Sequence, residues 1–175
     1  MTESSSASNK KVKARVAALL FNEEMSAPVL VLQEEDGDRT LPIFIGLLEA
    51  SAIALHLEDV DLVRPMTHDL LKNTVVGLGG ELVRVEVTAL LDNTFYALLF
   101  VQRGKKLIEL DCRPSDGIAL ALRMDAPIWV HEQVLEVVIG SGEGFPMDWS
   151  AEHDPEKLKE YLESLDPDAF GKYKM

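Results

Sequence analysis

The sequence predicts an α+β fold in which helices cover one face of a mostly antiparallel, two-layer sheet. Three observations support this prediction: short turns join the strand-like segments, helical segments are few, and one order of elements occurs twice. Since strands and helices do not alternate one for one, a doubly wound parallel sheet is disfavoured. We therefore expect the helices to lie together on one side of the sheet.

The first half of the chain predicts three strands followed by one helix. Val12, Ala14 and Val16 alternate with polar residues before an apolar run, which is typical of a strand with one covered face. Asp36-Gly37 is a hairpin turn signal. The predicted strands are residues 11–21, 28–33 and 41–45, with a turn over 22–27, and the helix is residues 49–57.

The second half repeats this order. Its predicted strands are residues 82–91, 95–102 and 107–112, and its helix is residues 115–124. An offset of 65 residues pairs Ile53 with Ile118 and also pairs Gly46 with Asp111. The pattern predicts an internal duplication of a strand-strand-strand-helix unit; the alternative is chance similarity between two helices rich in Ala and Leu.

Shorter elements surround the second half. Thr67 is the expected N-cap of a helix over 68–78, which ends at Gly79-Gly80. Residues 127–131 suit a short strand, and residues 132–139 suit either a short helix or a strand.

Composition changes divide the chain into four regions. We expect a flexible tail over 1–10, one domain over 11–140, a linker over 141–153, and an amphipathic helix with a tail over 154–175. Leu158, Tyr161, Leu162 and Leu165 form a narrow apolar stripe on that last helix. We expect the stripe to dock on the domain or on a second copy of the chain.

Charge constrains the function. The chain carries 17 Lys and Arg against 30 Asp and Glu, a net charge of −13. Such an acidic chain lacks the basic surface that drives tight nucleic-acid binding, unless bound divalent cations neutralise some carboxylates. With a single cysteine, no apolar run long enough to span a membrane and no visible secretory signal, we expect a cytoplasmic protein without a membrane partner.

Two similar segments carry the residues most suited to chemistry. Residues 64–70 (RPMTHDL) and 111–116 (DCRPSD) each place Arg-Pro before a hydroxyl residue and an acid at a predicted helix start. Free N–H groups at a helix start suit phosphate, and Arg64 and Arg113 can add bidentate contacts. Asp69 and Asp116, with Glu49 or Asp111, can hold Mg²⁺ or Mn²⁺, while His68 can act as a general base or a metal ligand.

The same residues also fit a purely structural interpretation. Thr67 and Ser115 are ordinary helix N-caps, and acids in a first helical turn favour the helix dipole. Each arginine can bridge to a nearby carboxylate and fix the corner between strand and helix. The two interpretations remain open at this stage.

Several motifs in order give the chain a resemblance to the bifunctional nuclease domain family, over about residues 12–140. The matching segments are residues 41–46 (LPIFIG), Glu49-Ala50 with 52–55 (AIAL), 64–70 (RPMTHDL), 92–96 (DNTFY), 113–116 (RPSD) and 118–121 (IALA). The resemblance implies an α+β domain that self-associates, with a dimer favoured, and that cleaves both DNA and RNA.

Carried over residue by residue, the resemblance points to one set of site residues: Arg64, His68, Asp69, Arg113, Ser115 and Asp116, with Glu49 as a lesser candidate. Two functions follow from these observations: a divalent-metal-dependent nuclease, or a non-catalytic, self-associating module that binds a protein partner. The nuclease requires the two Arg-Pro segments to lie within about 10 Å of each other, the span of residues that share one metal site.

Overall fold

A computed structural model describes residues 10–22, 27–60 and 62–140. These residues form one sheet of seven strands and four helices. In chain order the elements are β1 (Lys11–Asn22), β2 (Ala27–Glu34), β3 (Thr40–Phe44), α1 (Leu47–Leu57), α2 (Thr67–Gly77), β4 (Gly80–Leu91), β5 (Thr94–Arg103), β6 (Lys106–Cys112), α3 (Pro114–Arg123), β7 (Ile128–His131) and α4 (Glu132–Gly140). The predicted linker over 141–153, the C-terminal helix and most of the N-terminal tail lie outside the described residues.

The strand order in the described part of the chain is β3-β2-β1-β7-β4-β5-β6, and of the pairings found there only β4–β7 is parallel. Each half is a three-stranded meander followed by a helix, and β7 lies between the halves. Because β1 and β4 run in opposite directions on either side of β7, the halves are related by rotation about an axis normal to the sheet. This rotation leaves α1 and α3 on the same face, so the α+β prediction and the duplicated unit are confirmed.

The hydrophobic core lies between the sheet and the helices. Val85 and Val87 of β4 and Ile118 and Leu120 of α3 are fully buried in it. Helix α3 packs closely on the sheet at Gly117, where an added Cβ would lie 2.9 Å from Val85 Cγ1. Glycine is required there because α3 approaches the strand too closely for a side chain.

The helix ends differ slightly from the sequence predictions. Met66 caps α2, not Thr67, because its backbone N–H donates to Asp69 Oδ2 at 2.9 Å. Arg113 caps α3, not Ser115, because Pro114 takes the first helical position, where a missing N–H costs nothing. Residues 132–140 form a helix, and the left-handed φ of +74° at Gly79 follows the end of α2 as predicted.

Helix length also bears on membrane insertion. Among the described residues, no helix combines the length and apolar character needed to cross a bilayer.

Candidate functional site

Helices α1, α2 and α3 meet at the first turns of α2 and α3, and ionic side chains fill the junction. His68 lies in the first turn of α2, and Asp116 lies in the first turn of α3. The Nε2 atom of His68 lies 3.1 Å from Asp116 Oδ1. This contact joins the two Arg-Pro segments, which are 48 residues apart in the chain at these positions.

Arg113 links this pair to α1. Its Nε donates to Asp116 Oδ2 at 2.7 Å, and its Nη2 lies 2.7 Å from Glu49 Oε1. The Arg113 side chain is 65% exposed, whereas that of His68 is only 10% exposed. We call His68, Asp116, Arg113 and Glu49 the His68 corner; its arginine faces solvent and its histidine lies inside.

The charge of the His68 corner is set by competing effects. Burial by itself raises the pKa of Asp116, but hydrogen bonds from Arg113 and His68 outweigh burial and hold that pKa below its usual value. Asp116 and Glu49 in turn raise the pKa of Arg113. Asp116 is therefore an anion and Arg113 a cation at neutral pH.

A second ionic cluster lies at the opposite end of α3. Arg123 Nε donates to Asp69 Oδ1 at 2.6 Å, and its two terminal nitrogens donate to the carbonyl oxygens of Ala119 and Ala52. The Arg123 side chain is 5% exposed. Burial alone raises the pKa of Asp69, but the hydrogen bonds from Arg123 and from the Met66 N–H reverse the effect and lower it. This cluster ties α1, α2 and α3 together.

A surface pocket of about 320 Å³ opens beside the second cluster. Arg64, His56, Asp69 and Arg123 line it together with apolar residues of the α1–α2 connection. Arg64 is exposed and makes no polar contact with the described residues. Of the two arginines predicted to bind phosphate, only Arg113 joins the His68 corner; Arg64 belongs to this pocket.

The other predicted residues take different places. Ser115 is buried in the first turn of α3, and Asp111 is exposed on β6. Burial, together with the charges of Asp116 and Asp111, raises the pKa of the Cys112 thiol to about 12, which favours the protonated thiol at neutral pH. Sequence reasoning missed Arg123; its spacing of four residues from Ala119 and three from Leu120 indicates that it shares the buried face of α3.

Comparison with known proteins places the chain in a family. A sequence model of the bifunctional nuclease domain matches residues 30–140, which include the junction of α1, α2 and α3. The chain belongs to the bifunctional nuclease domain family. It is 40% identical over 162 residues to an uncharacterized protein of Mycobacterium tuberculosis, covering 90% of this chain and 97% of that protein.

Plant members of the bifunctional nuclease domain family match a shorter part of the chain. Bifunctional nuclease 1 of Arabidopsis thaliana is 30% identical over 109 residues, 60% of this chain and 34% of the plant protein. Bifunctional nuclease 2 of Oryza sativa subsp. japonica is 29% identical over 116 residues, 64% of this chain and 36% of that protein. The similarity to the plant proteins thus spans about a third of their length.

The side chains of this family member do not fit the divalent cation expected from the sequence. No group of three or more His, Cys, Asp or Glu side chains in the described ranges is arranged to hold a metal ion. Asp69 is paired with Arg123, whereas Asp116 and Glu49 are paired with Arg113. A cation shared by Asp69 and Asp116 would have to displace an arginine from each carboxylate.

The two ionic clusters predict different losses in the free energy of unfolding for the same substitution, Asp→Asn. Asp69→Asn leaves the buried Arg123 guanidinium without its carboxylate, so we expect it to lower the free energy of unfolding by about 3 kcal/mol. Asp116→Asn leaves Arg113 exposed and still paired with Glu49, so its expected cost is about 1 kcal/mol. Urea unfolding at pH 7 measures both values; equal costs, or a larger cost for Asp116→Asn, would contradict the assignment of Asp69 as the structural carboxylate.

Proposed function

We propose that the chain is a nuclease that hydrolyses phosphodiester bonds of DNA and RNA at the His68 corner. The observation that carries the proposal is the 3.1 Å contact between His68 and Asp116, which unites the two Arg-Pro segments. Membership of the bifunctional nuclease domain family supports the same chemistry. Of the site residues expected from the sequence, His68, Asp116, Arg113 and Glu49 meet at this corner.

His68 is the proposed general base. The Asp116 carboxylate is an anion, so it accepts a hydrogen bond from the Nε2–H of His68 and stabilises that tautomer. Nδ1 then carries a lone pair that can take a proton from a water molecule as the water oxygen bonds to phosphorus. The P–O ester bond breaks in the same displacement, and the leaving oxygen takes a proton from solvent water. Asp116 is thus a positioning residue that fixes the orientation and tautomer of the imidazole.

Arg113 is the proposed phosphate-binding residue. Its Nε and Nη2 groups are engaged with Asp116 and Glu49, while Nη1 has no partner among the described residues. The two Nη1 hydrogens, on a side chain that is 65% exposed, can donate to the non-bridging oxygens of a phosphodiester. Glu49 holds the guanidinium in place from α1.

The proposed roles use side chains alone. A Mg²⁺ or Mn²⁺ ion has no ready set of ligands here, because arginine side chains engage the carboxylates expected to bind it. No step of the proposed reaction therefore depends on a metal ion.

Cleavage of labelled single-stranded and duplex DNA and RNA tests the nuclease and its site. We expect wild type to cleave in EDTA as well as in Mg²⁺ or Mn²⁺. His68→Gln and Asp116→Asn are expected to lower the rate at least about 100-fold, because each removes the positioned base. Circular dichroism and thermal unfolding establish that each variant is folded.

Asp92→Asn in the β4–β5 turn is the matched control for Asp116→Asn, and we expect it to cleave at the wild-type rate. Equal cleavage by all variants would show a contaminating nuclease and would contradict the proposed site. If cleavage were lost in EDTA alone, the chain would still be a nuclease, but the proposal that the side chains act without a metal ion would be contradicted. The absence of cleavage under every condition would overturn the nuclease itself.

Helix α2 supports a second function, self-association as a dimer. Its only buried residue is His68, and its outer surface carries Leu70 and Val76, exposed by 59% and 55%. Leu71 on α2 and Leu78 just beyond it are 38% and 63% exposed. Exposed apolar side chains in this number on one helix are typical of a protein interface, and we propose that a second copy covers them.

Sedimentation equilibrium tests the proposed dimer. We expect wild type to be dimeric and the Leu70→Lys/Val76→Lys variant to be monomeric, because two lysines would be desolvated in the interface. Leu91→Lys at the end of β4, where the side chain is 58% exposed, is the control and should remain dimeric. A monomeric wild type, or a dimeric α2 variant, would contradict the proposed interface.

A further inference from the structure

The sheet face opposite the core carries a group of cationic side chains on β1, β4 and β7. On β1, Ala14 packs into the core with Val12 and Val16 beside it, so Lys11, Lys13 and Arg15 point to the other face. The same alternation on β4 and β7 places Arg84, Trp129 and His131 on that face, opposite Val85, Ile128 and Val130. We call this surface the basic sheet face; its residues are Lys11, Lys13, Arg15, Arg84, Trp129 and His131.

A buried carboxylate organises the middle of the basic sheet face. Glu86 of β4 is 4% exposed and accepts hydrogen bonds from Lys11, from Arg84 and, at 2.8 Å, from His131 Nε2. Burial alone raises the pKa of Glu86, but these three partners lower it to about 2. The Glu86 carboxylate therefore holds the Lys11, Arg84 and His131 side chains together on the surface formed by β1, β7 and β4.

The surrounding ion pairs do not neutralise this surface. Lys13 pairs with Glu35, Lys10 with Glu132, and Arg39 with Glu34 and Glu132, while Arg15 donates to the uncharged Gln33. Among the residues that make these contacts, six cations therefore meet four carboxylates, on a chain whose net charge is −13. The cations are Lys10, Lys11, Lys13, Arg15, Arg39 and Arg84, and the carboxylates are Glu34, Glu35, Glu86 and Glu132. The acidic side chains Glu81, Glu109 and Asp111 lie on the same face farther along the sheet, on β4 and β6.

Aromatic rings lie among these cations. Lys13 is directly opposite Trp129 in the β1–β7 pairing, and Lys11 Nζ lies 5.5 Å from the centroid of the Trp129 ring. The Arg84 guanidinium stacks on Phe100, 3.7 Å from its ring centroid, and so presents a flat cationic plane. Sheets that bind single-stranded nucleic acid combine such stacking planes with cations that follow the phosphate backbone.

We propose that the basic sheet face binds single-stranded nucleic acid. The phosphates contact Lys13 and Arg15 along β1, and bases stack on the Trp129 ring and on the Arg84 plane. This binding surface is separate from the His68 corner, because α3 covers the opposite face of the sheet. Binding at this face goes beyond the proposed hydrolysis. The chain could bind nucleic acid here without cleaving it, and it could cleave nucleic acid at the His68 corner without this face.

Fluorescence anisotropy with a labelled 12-nucleotide single-stranded RNA tests the proposal in the full chain. Lys13→Ala/Arg15→Ala removes two exposed cations without disturbing the Glu86 cluster, and we expect it to weaken binding at least about tenfold at 50 mM salt. Its plot of log affinity against log salt should be shallower by about 1.4, the change for two lost phosphate contacts on a single strand. Trp129→Ala should weaken binding about tenfold through lost stacking.

The control is Lys105→Ala/Lys106→Ala in the β5–β6 hairpin, which changes the net charge equally and should bind like wild type. No binding by wild type, equal binding by the Lys13/Arg15 variant, or equal weakening in the hairpin control would each overturn the proposal. If an acidic peptide bound more tightly than the RNA, and the Lys13→Ala/Arg15→Ala variant abolished that binding, the ligand of this face would be a protein and the nucleic-acid proposal would be overturned. A gel of each finished titration separates binding from cleavage, so RNA that is bound but uncleaved supports this face while contradicting the nuclease.

Discussion

The packing of α3 against the sheet and against α1 and α2 is the constraint on which the rest of the site depends. Its middle is buried in the core, and Gly117 lets it lie directly on β4. Each end then carries charged side chains in positions fixed by that packing. Arg113 and Asp116 at the first turn engage α1 and α2, and Arg123 at the last turn engages both helices again.

The two ends of α3 are chemically different because their exposure differs. Arg123 is almost fully buried and makes its hydrogen bonds inside the protein, so its ion pair with Asp69 fixes the helix junction. Arg113 keeps most of its surface in water and uses only part of its guanidinium for internal contacts. A single helix thus presents a structural ion pair at one end and, at the other, the groups proposed for phosphate binding and proton transfer.

Much of the architecture follows from local sequence signals. Alternating apolar residues, turn residues and the 65-residue offset were sufficient for the strands, the helices and the duplicated unit. The N-caps were wrong by one or two residues because Pro114 and the Asp69 side chain move the cap to the preceding residue. The contact between His68 and Asp116 depends on how two helices pack, which no spacing along the chain specifies. For the same reason Arg123 was missed, and the place of Arg64 at the pocket beside Asp69 could not be predicted.

The distribution of charge changes how the acidic composition is understood. A net charge of −13 argues against nucleic-acid binding only if the charge is spread evenly. The alternation of β1 instead places Lys11, Lys13 and Arg15 on one face, away from the helices and their carboxylates.

A crystal structure of the chain with thymidine 3′,5′-bisphosphate, a small mimic of the nucleic-acid backbone, is the direct test of the proposed role of the His68 corner. We expect a phosphate within hydrogen-bond distance of Arg113 and close to His68. A phosphate bound only in the pocket lined by Arg64 would contradict the proposed role of the His68 corner.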